Sequence, residues 1–101
     1  MKVEVCNNSD QLVVTLSGDL IKESAQRVLD ELTVALASSD FRSVRMDFGA
    51  VDQFDSTVLA VILGVIQTIS SRPLFIANAR AELHSPLKVA SENGLFTIVA
   101  K

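Results

Sequence analysis

The sequence predicts an α/β fold: a mixed four- to five-stranded β-sheet with about three to four α-helices packed largely on one side. Three observations predict it. Segments rich in β-forming residues alternate with segments whose apolar residues recur at helical spacing. The first two strand-like segments are separated only by turn residues, which makes a hairpin. Each later strand-like segment is followed by a helix-length stretch, as in parallel βαβ units.

The elements follow in order. Lys2–Cys6 alternates polar and apolar residues and reads as a strand. Asn7–Asn8–Ser9–Asp10 is turn chemistry, and Leu12–Ser17 is the second strand, closed by Gly18–Asp19. Ile21, Ala25, Val28, Leu29, Leu32, Ala35 and Leu36 form one helical stripe, ended by Ser38–Ser39–Asp40. Val44–Phe48 is a third strand. The stretch from Thr57 to about Ser70 is rich in β-branched residues but is long for one strand, and a crossover is needed there, so it is expected to be a helix. Arg72–Pro73 breaks it and Leu74–Ala77 is a fourth strand. A shorter helix is expected between Arg80 and Asn93, with Ser85–Pro86 opening it and Gly94 ending it. Phe96–Ala100 is the last strand. At 101 residues the chain is expected to be a single domain, 1–101.

Composition excludes several function classes. Apolar residues make up 49% of the chain, with five Phe and neither Trp nor Tyr. The core is therefore aliphatic, and stacking on sugars or single strands has little support. The net charge is −3, and Lys22, Arg27, Arg42, Arg45, Arg72, Arg80 and Lys88 are scattered rather than striped, which argues against nucleic acid. Cys6 is the only cysteine, which fits a reducing cytoplasm. The N-terminus lacks a signal-peptide apolar region, and the longest apolar run, Val58–Ile66, is too short to span a bilayer.

The chemistry of interest lies in FDSTVLAVILG, Phe54 to Gly64. On a helix, Leu59, Ile62, Leu63, Ile66 and Ile69 share one face, expected to lie on the sheet. The other side carries Thr57, Val58, Val61, Gly64, Val65 and Thr68, with no charge. Either another part of the chain covers that side, or it waits for a partner. At the lip of the helix, Asp55 or Ser56 suits an N-cap, whose oxygen accepts from the free amides of the first turn. The same place suits a phosphate, because those amides and the helix dipole favour an anion. A phosphorylated Ser56 would bring nearly two negative charges beside Asp52 and Asp55, and would bar a partner from docking on an adjoining apolar face.

These residues resemble the STAS domain, in particular anti-sigma factor antagonists of the SpoIIAA type. The resemblance runs through LSGDL at Leu16–Leu20, VRMDFGAVDQFDS at Val44–Ser56, VILG at Val61–Gly64 and NGLFTIV at Asn93–Val99. It implies a partner switch rather than an enzyme. A serine kinase of the histidine-kinase-like ATPase type, itself an anti-sigma factor, would phosphorylate Ser56. A PP2C-type phosphatase would reverse the reaction, and only the unphosphorylated form would capture the partner. Asp55 and Thr57 would support the phosphosite; Asp19, Asp52, Val58, Val61 and Val65 are the expected partner contacts. Three positions depart from the pattern: Val58 and Ala60 replace glycines, and Ile21 stands where the family carries an acidic residue. The output could be sigma-factor control or another pathway, such as biofilm polysaccharide regulation. The alternative is a constitutive docking subunit of an ABC-type lipid transporter or a stressosome-like scaffold.

Other site chemistries fare worse. A receiver-like phosphoaspartate at Asp47 lacks an acidic pair for Mg²⁺, and Lys101 is the only late lysine. His84 is the sole histidine and no GxSxG surrounds Ser56, so a Ser–His–Asp hydrolase is not expected. No Cys/His cluster suggests a metal, and no cofactor is expected.

Overall fold

The computed structural model describes residues 2–38, 40–69, 72–79 and 96–99. They form strands β1 (Lys2–Asn8), β2 (Gln11–Leu20), β3 (Ser43–Phe54), β4 (Leu74–Ala77) and β5 (Thr97–Val99), and helices α1 (Lys22–Ala37) and α2 (Thr57–Ile69). The five strands make one sheet in the order β1-β2-β3-β4-β5. β1 and β2 are antiparallel and the other neighbours parallel. The predicted α/β fold with a mixed sheet is thus the observed one. Two helices occur among the described residues, fewer than the three to four expected. The helix expected between Arg80 and Asn93, with its Ser85–Pro86 opening and Gly94, lies outside the described residues, as do His84 and Lys101.

The hairpin turns at Ser9–Asp10, where Ser9 adopts φ 59°. The crossovers β2-α1-β3 and β3-α2-β4 both step the same way along the sheet. Right-handed connections therefore place both helices on the same face. The strands bury mainly that face: Leu12, Val14 and Leu16 of β2, Val44, Met46 and Phe48 of β3, and Leu74 and Ile76 of β4. They share one core with Val28, Leu32 and Leu36 of α1 and Val58, Val61, Ile62, Val65 and Ile69 of α2. The alternation in β2 and β3 is the period-2 pattern of a sheet with one buried face.

The helices approach each other at Gly64. A Cβ there would lie 2.6 Å from Leu29 Cδ1, so the missing side chain leaves room for the end of the Leu29 side chain of α1. Arg72 ends α2: its backbone N–H and its Nε both donate to the Ile69 carbonyl, at 3.3 and 2.9 Å, and its guanidinium lies 4.0 Å from the centre of the Phe41 ring.

Both central strands are longer than the sequence pattern suggested. β2 continues through Gly18 to Leu20, and β3 continues past Phe48 to Phe54. Register shifts between Thr15 and Ser17 and between Gly18 and Asp19 allow it, so that Gly18 pairs with Val51, Asp19 with Gln53 and Leu20 with Phe54. Gly18, at φ 100°, takes a conformation open to glycine. Asp47 braces the first bulge, its Oδ1 accepting from the Gly49 N–H at 2.8 Å and from Asn78 Nδ2 at 3.1 Å.

Candidate functional site

The extension of β2 and β3 determines where the two helices begin. Leu20 and Phe54 are register partners, and the Asp55 N–H continues the ladder to the Leu20 carbonyl at 3.3 Å. The chain leaves both strands at one level of the sheet, and the N-termini of α1 and α2 start side by side.

Asp55 joins them. Its Oδ1 accepts from the Thr57 N–H at 2.9 Å and from the Thr57 hydroxyl at 2.5 Å. Its Oδ2 accepts from the Lys22 N–H at 3.0 Å. Asp55 is therefore the cap of α2, and it also supplies the acceptor that α1 lacks, because Ile21 at the N-cap of α1 has no side-chain oxygen. Ser24 completes that end of α1, its hydroxyl accepting the Ile21 N–H at 3.3 Å and donating to the Asp19 carbonyl at 2.9 Å. The donors hold the Asp55 carboxyl below its ordinary range, the Thr57 hydroxyl first, then the Thr57 and Lys22 amides, with the Lys22 charge a smaller contribution.

Ser56 is left over by this arrangement. It is exposed, and among the described residues its hydroxyl has no hydrogen-bond partner. Its carbonyl accepts the Leu59 N–H at 3.3 Å, so its backbone belongs to the first turn while its side chain stays in solvent. Of the two capping candidates in the sequence, Asp55 caps and Ser56 does not. Thr57 is half-buried, its hydroxyl engaged.

The other expected residues divide. Asp19 is half-buried on β2 opposite Gln53, and Asp52 is exposed on β3, both on the stretch leading to the helix starts. Val58, Val61 and Val65 do not form an outer surface. Their relative exposures are 2%, 1% and 1%, and they pack into the core with Ile62 and Ile69. The helix is rotated by roughly a quarter turn from the expected phase. The smaller, β-branched valines sit in the core, Gly64 turns to α1, and the exposed face is Ala60, Leu63 and Gln67, flanked by the half-buried Leu59 and Ile66. Leu63, at 46% exposure, is the largest apolar side chain exposed on α2.

Two residues at this site carried no signal that sequence reading used. Lys22 contributes through its backbone, which its identity does not reveal. Ser24 stands three residues after the cap position of α1, the spacing of a capping box, and could have been found from it. Among the described residues no group of three His, Cys, Asp or Glu could hold a metal, and no helix is long and apolar enough to cross a membrane.

Comparison with known proteins gives the fold a place. The sequence model of the STAS domain matches residues 2–101. None of the curated proteins compared matches the chain. An anti-sigma factor antagonist from Mycobacterium paratuberculosis superposes with a TM-score of 0.83 at 17% identity, over 99% of this chain and 86% of that one. The Bacillus cell fate determinant SpoIIAA, in its phosphorylated form, gives 0.73 at 11% identity, over 99% and 93%. A serine-to-glutamate variant of RsbS from Moorella thermoacetica gives 0.74 at 16% identity, over 100% and 89%. At these identities the likeness is one of fold.

Proposed function

The chain belongs to the STAS domain family, and on that premise we propose that it is a phosphorylation-controlled protein-binding regulator, a partner switch whose phosphoacceptor is Ser56. Unphosphorylated, it binds its partner; phosphorylated, it releases it. It acts by binding rather than by catalysis. The kinase is a serine kinase of the histidine-kinase-like ATPase type that is also the captured partner, and a PP2C-type phosphatase restores the free hydroxyl.

One observation carries this reading. The Ser56 hydroxyl is exposed and, among the described residues, unbonded at the start of an apolar helix, because Asp55 has taken over the cap. A serine needed for capping would have its oxygen engaged. The fold likeness to SpoIIAA, whose phosphorylated form is a solved structure, supports it. The docking surface on this reading lies beside Ser56 along Ala60, Leu63 and the flanks of Leu59 and Ile66, with Asp19 and Asp52 at its rim, in place of the buried valines. A phosphate at Ser56 would join Asp52 and Asp55 in an acidic rim, and a dianion at the edge of a desolvating contact opposes docking.

The test is intact mass and peptide mapping of the protein isolated from its own cells in growing and stressed states, followed by co-purification with Ser56→Ala and Ser56→Asp. Phosphate on Ser56 that changes with condition, partner retained by Ser56→Ala and lost by Ser56→Asp, is the expected result. Equal co-purification by both variants would replace the switch with constitutive docking on a transporter or scaffold.

A further inference from the structure

Two adjacent hydroxyls, Ser56 and Thr57, stand at the start of α2, and the structure treats them differently. Thr57 is half-buried and donates its hydroxyl proton to Asp55 Oδ1. The same oxygen accepts the Thr57 backbone N–H, which fixes that residue from two sides. Asp55 in turn is anchored by the Lys22 N–H on its other oxygen, so it does not follow Thr57 if that side chain turns outward. Ser56 has none of these ties.

We propose that Asp55 is a positioning residue that selects the acceptor: by holding the Thr57 hydroxyl it confines phosphorylation to Ser56, and Thr57 becomes an acceptor once the side-chain oxygen that holds it is removed. The inference rests on the reading of Ser56 as a phosphoacceptor. The transfer uses a nucleoside triphosphate as donor. The hydroxyl oxygen forms a bond to the γ-phosphorus, the bond from that phosphorus to the β–γ bridging oxygen breaks, and the nucleoside diphosphate leaves while the hydroxyl proton passes to a base on the kinase. For Ser56 the oxygen is already in solvent. For Thr57 the hydroxyl must first leave a charge-assisted hydrogen bond, a handicap of roughly tenfold or more in the accessible form. Asp55 does not reverse this by acting as the base for Thr57. Three donors stabilise its charged form and make it a weak proton acceptor.

The experiment maps phosphate by peptide mass in protein isolated from its own cells carrying the wild-type gene, Ser56→Ala, Ser56→Ala with Asp55→Asn, and Ser56→Ala with Asp55→Ala. A thermal melt on each confirms a folded chain. Wild type is expected to carry phosphate on Ser56 alone, and Ser56→Ala to carry none. Asp55→Asn keeps an oxygen acceptor for the Thr57 donors and should leave Thr57 unmodified. Asp55→Ala frees the hydroxyl, and phosphate should then appear on Thr57. Phosphate on Thr57 in Ser56→Ala, at the occupancy wild type shows on Ser56, overturns the inference while leaving the switch intact, and it does so without any variant of Asp55. A folded Ser56→Ala, Asp55→Ala chain with no phosphate overturns it too. Absence of phosphate from wild-type Ser56 overturns the functional reading itself and this inference with it.

Discussion

Asp55 and Lys22 meet across 33 residues of sequence: one carboxylate oxygen of Asp55 accepts the Lys22 backbone N–H at 3.0 Å, while the other holds Thr57. A single side chain thereby caps two helices. Asp55→Ala removes both contacts and should lower the melting temperature more than Asp55→Asn, which keeps an acceptor. The pH dependence has a definite sign. The folded pKa is depressed, so the carboxylate's contribution is fully present above the ordinary carboxylate range and is lost as pH falls through the lower, folded value. Thermal melts of wild type and Asp55→Asn should therefore differ at neutral pH and converge in acid. Curves that stay parallel down to the acid limit would show that Asp55 makes no charge-dependent contribution.

Val61 and Val65 are core residues, at 1% exposure each. Glutamate at either place buries an unpaired charge, at a cost comparable to the whole stability of such a domain, roughly 5–15 kcal/mol. Val61→Glu and Val65→Glu should give unfolded or aggregated chains by circular dichroism. Val65→Ala should fold and lose about 2 kcal/mol in urea titration.

Leu63 is the opposite case. It is 46% exposed, so Leu63→Glu should change stability by no more than about 0.5 kcal/mol. On the proposed docking surface it should weaken partner capture by roughly tenfold or more, measured as loss of co-purification from a folded variant. Capture at the wild-type level would move the docking surface elsewhere.

Gly64 and Leu29 form a pair that a double-mutant cycle can measure. Gly64→Ala gains about 1 kcal/mol of helix propensity and meets only the mobile end of Leu29, so it should be close to neutral. Gly64→Leu should cost roughly 1–3 kcal/mol by overpacking, and Leu29→Ala should return part of that in the double variant. Independent effects, adding without coupling, would show that the helices part elsewhere.

The strand and helix order was legible because the elements carry different periods, two in Leu12–Ser17 and near 3.6 in Ile21–Leu36. The phase of α2 was not legible. Thr57 to Ile69 carries no charge on any side, so only the polar Gln67 marked the outward direction, and bulk misled: the larger Leu59 and Leu63 turned out less buried than the valines. The ends of β2 and β3 were hidden by bulges. Past Phe48 the sequence GAVDQF breaks alternation, and only pairing with Gly18–Leu20 shows that it is still strand. At the lip, the candidate residues were legible as types. The division of labour between Asp55 and Ser56 was not, because Asp55 is anchored by the Lys22 N–H at the start of α1, 33 residues away in sequence.

That anchor has a further consequence. The Lys22 contact that anchors Asp55 exists only after β2 and β3 are in register and α1 has begun beside them, whereas the Asp55–Thr57 contacts lie within the segment itself. A short peptide copied from Phe54 to Gly64 would make those contacts only transiently and so would separate Ser56 from Thr57 less sharply. An enzyme that relies on the full difference is, in part, reading whether this protein has folded.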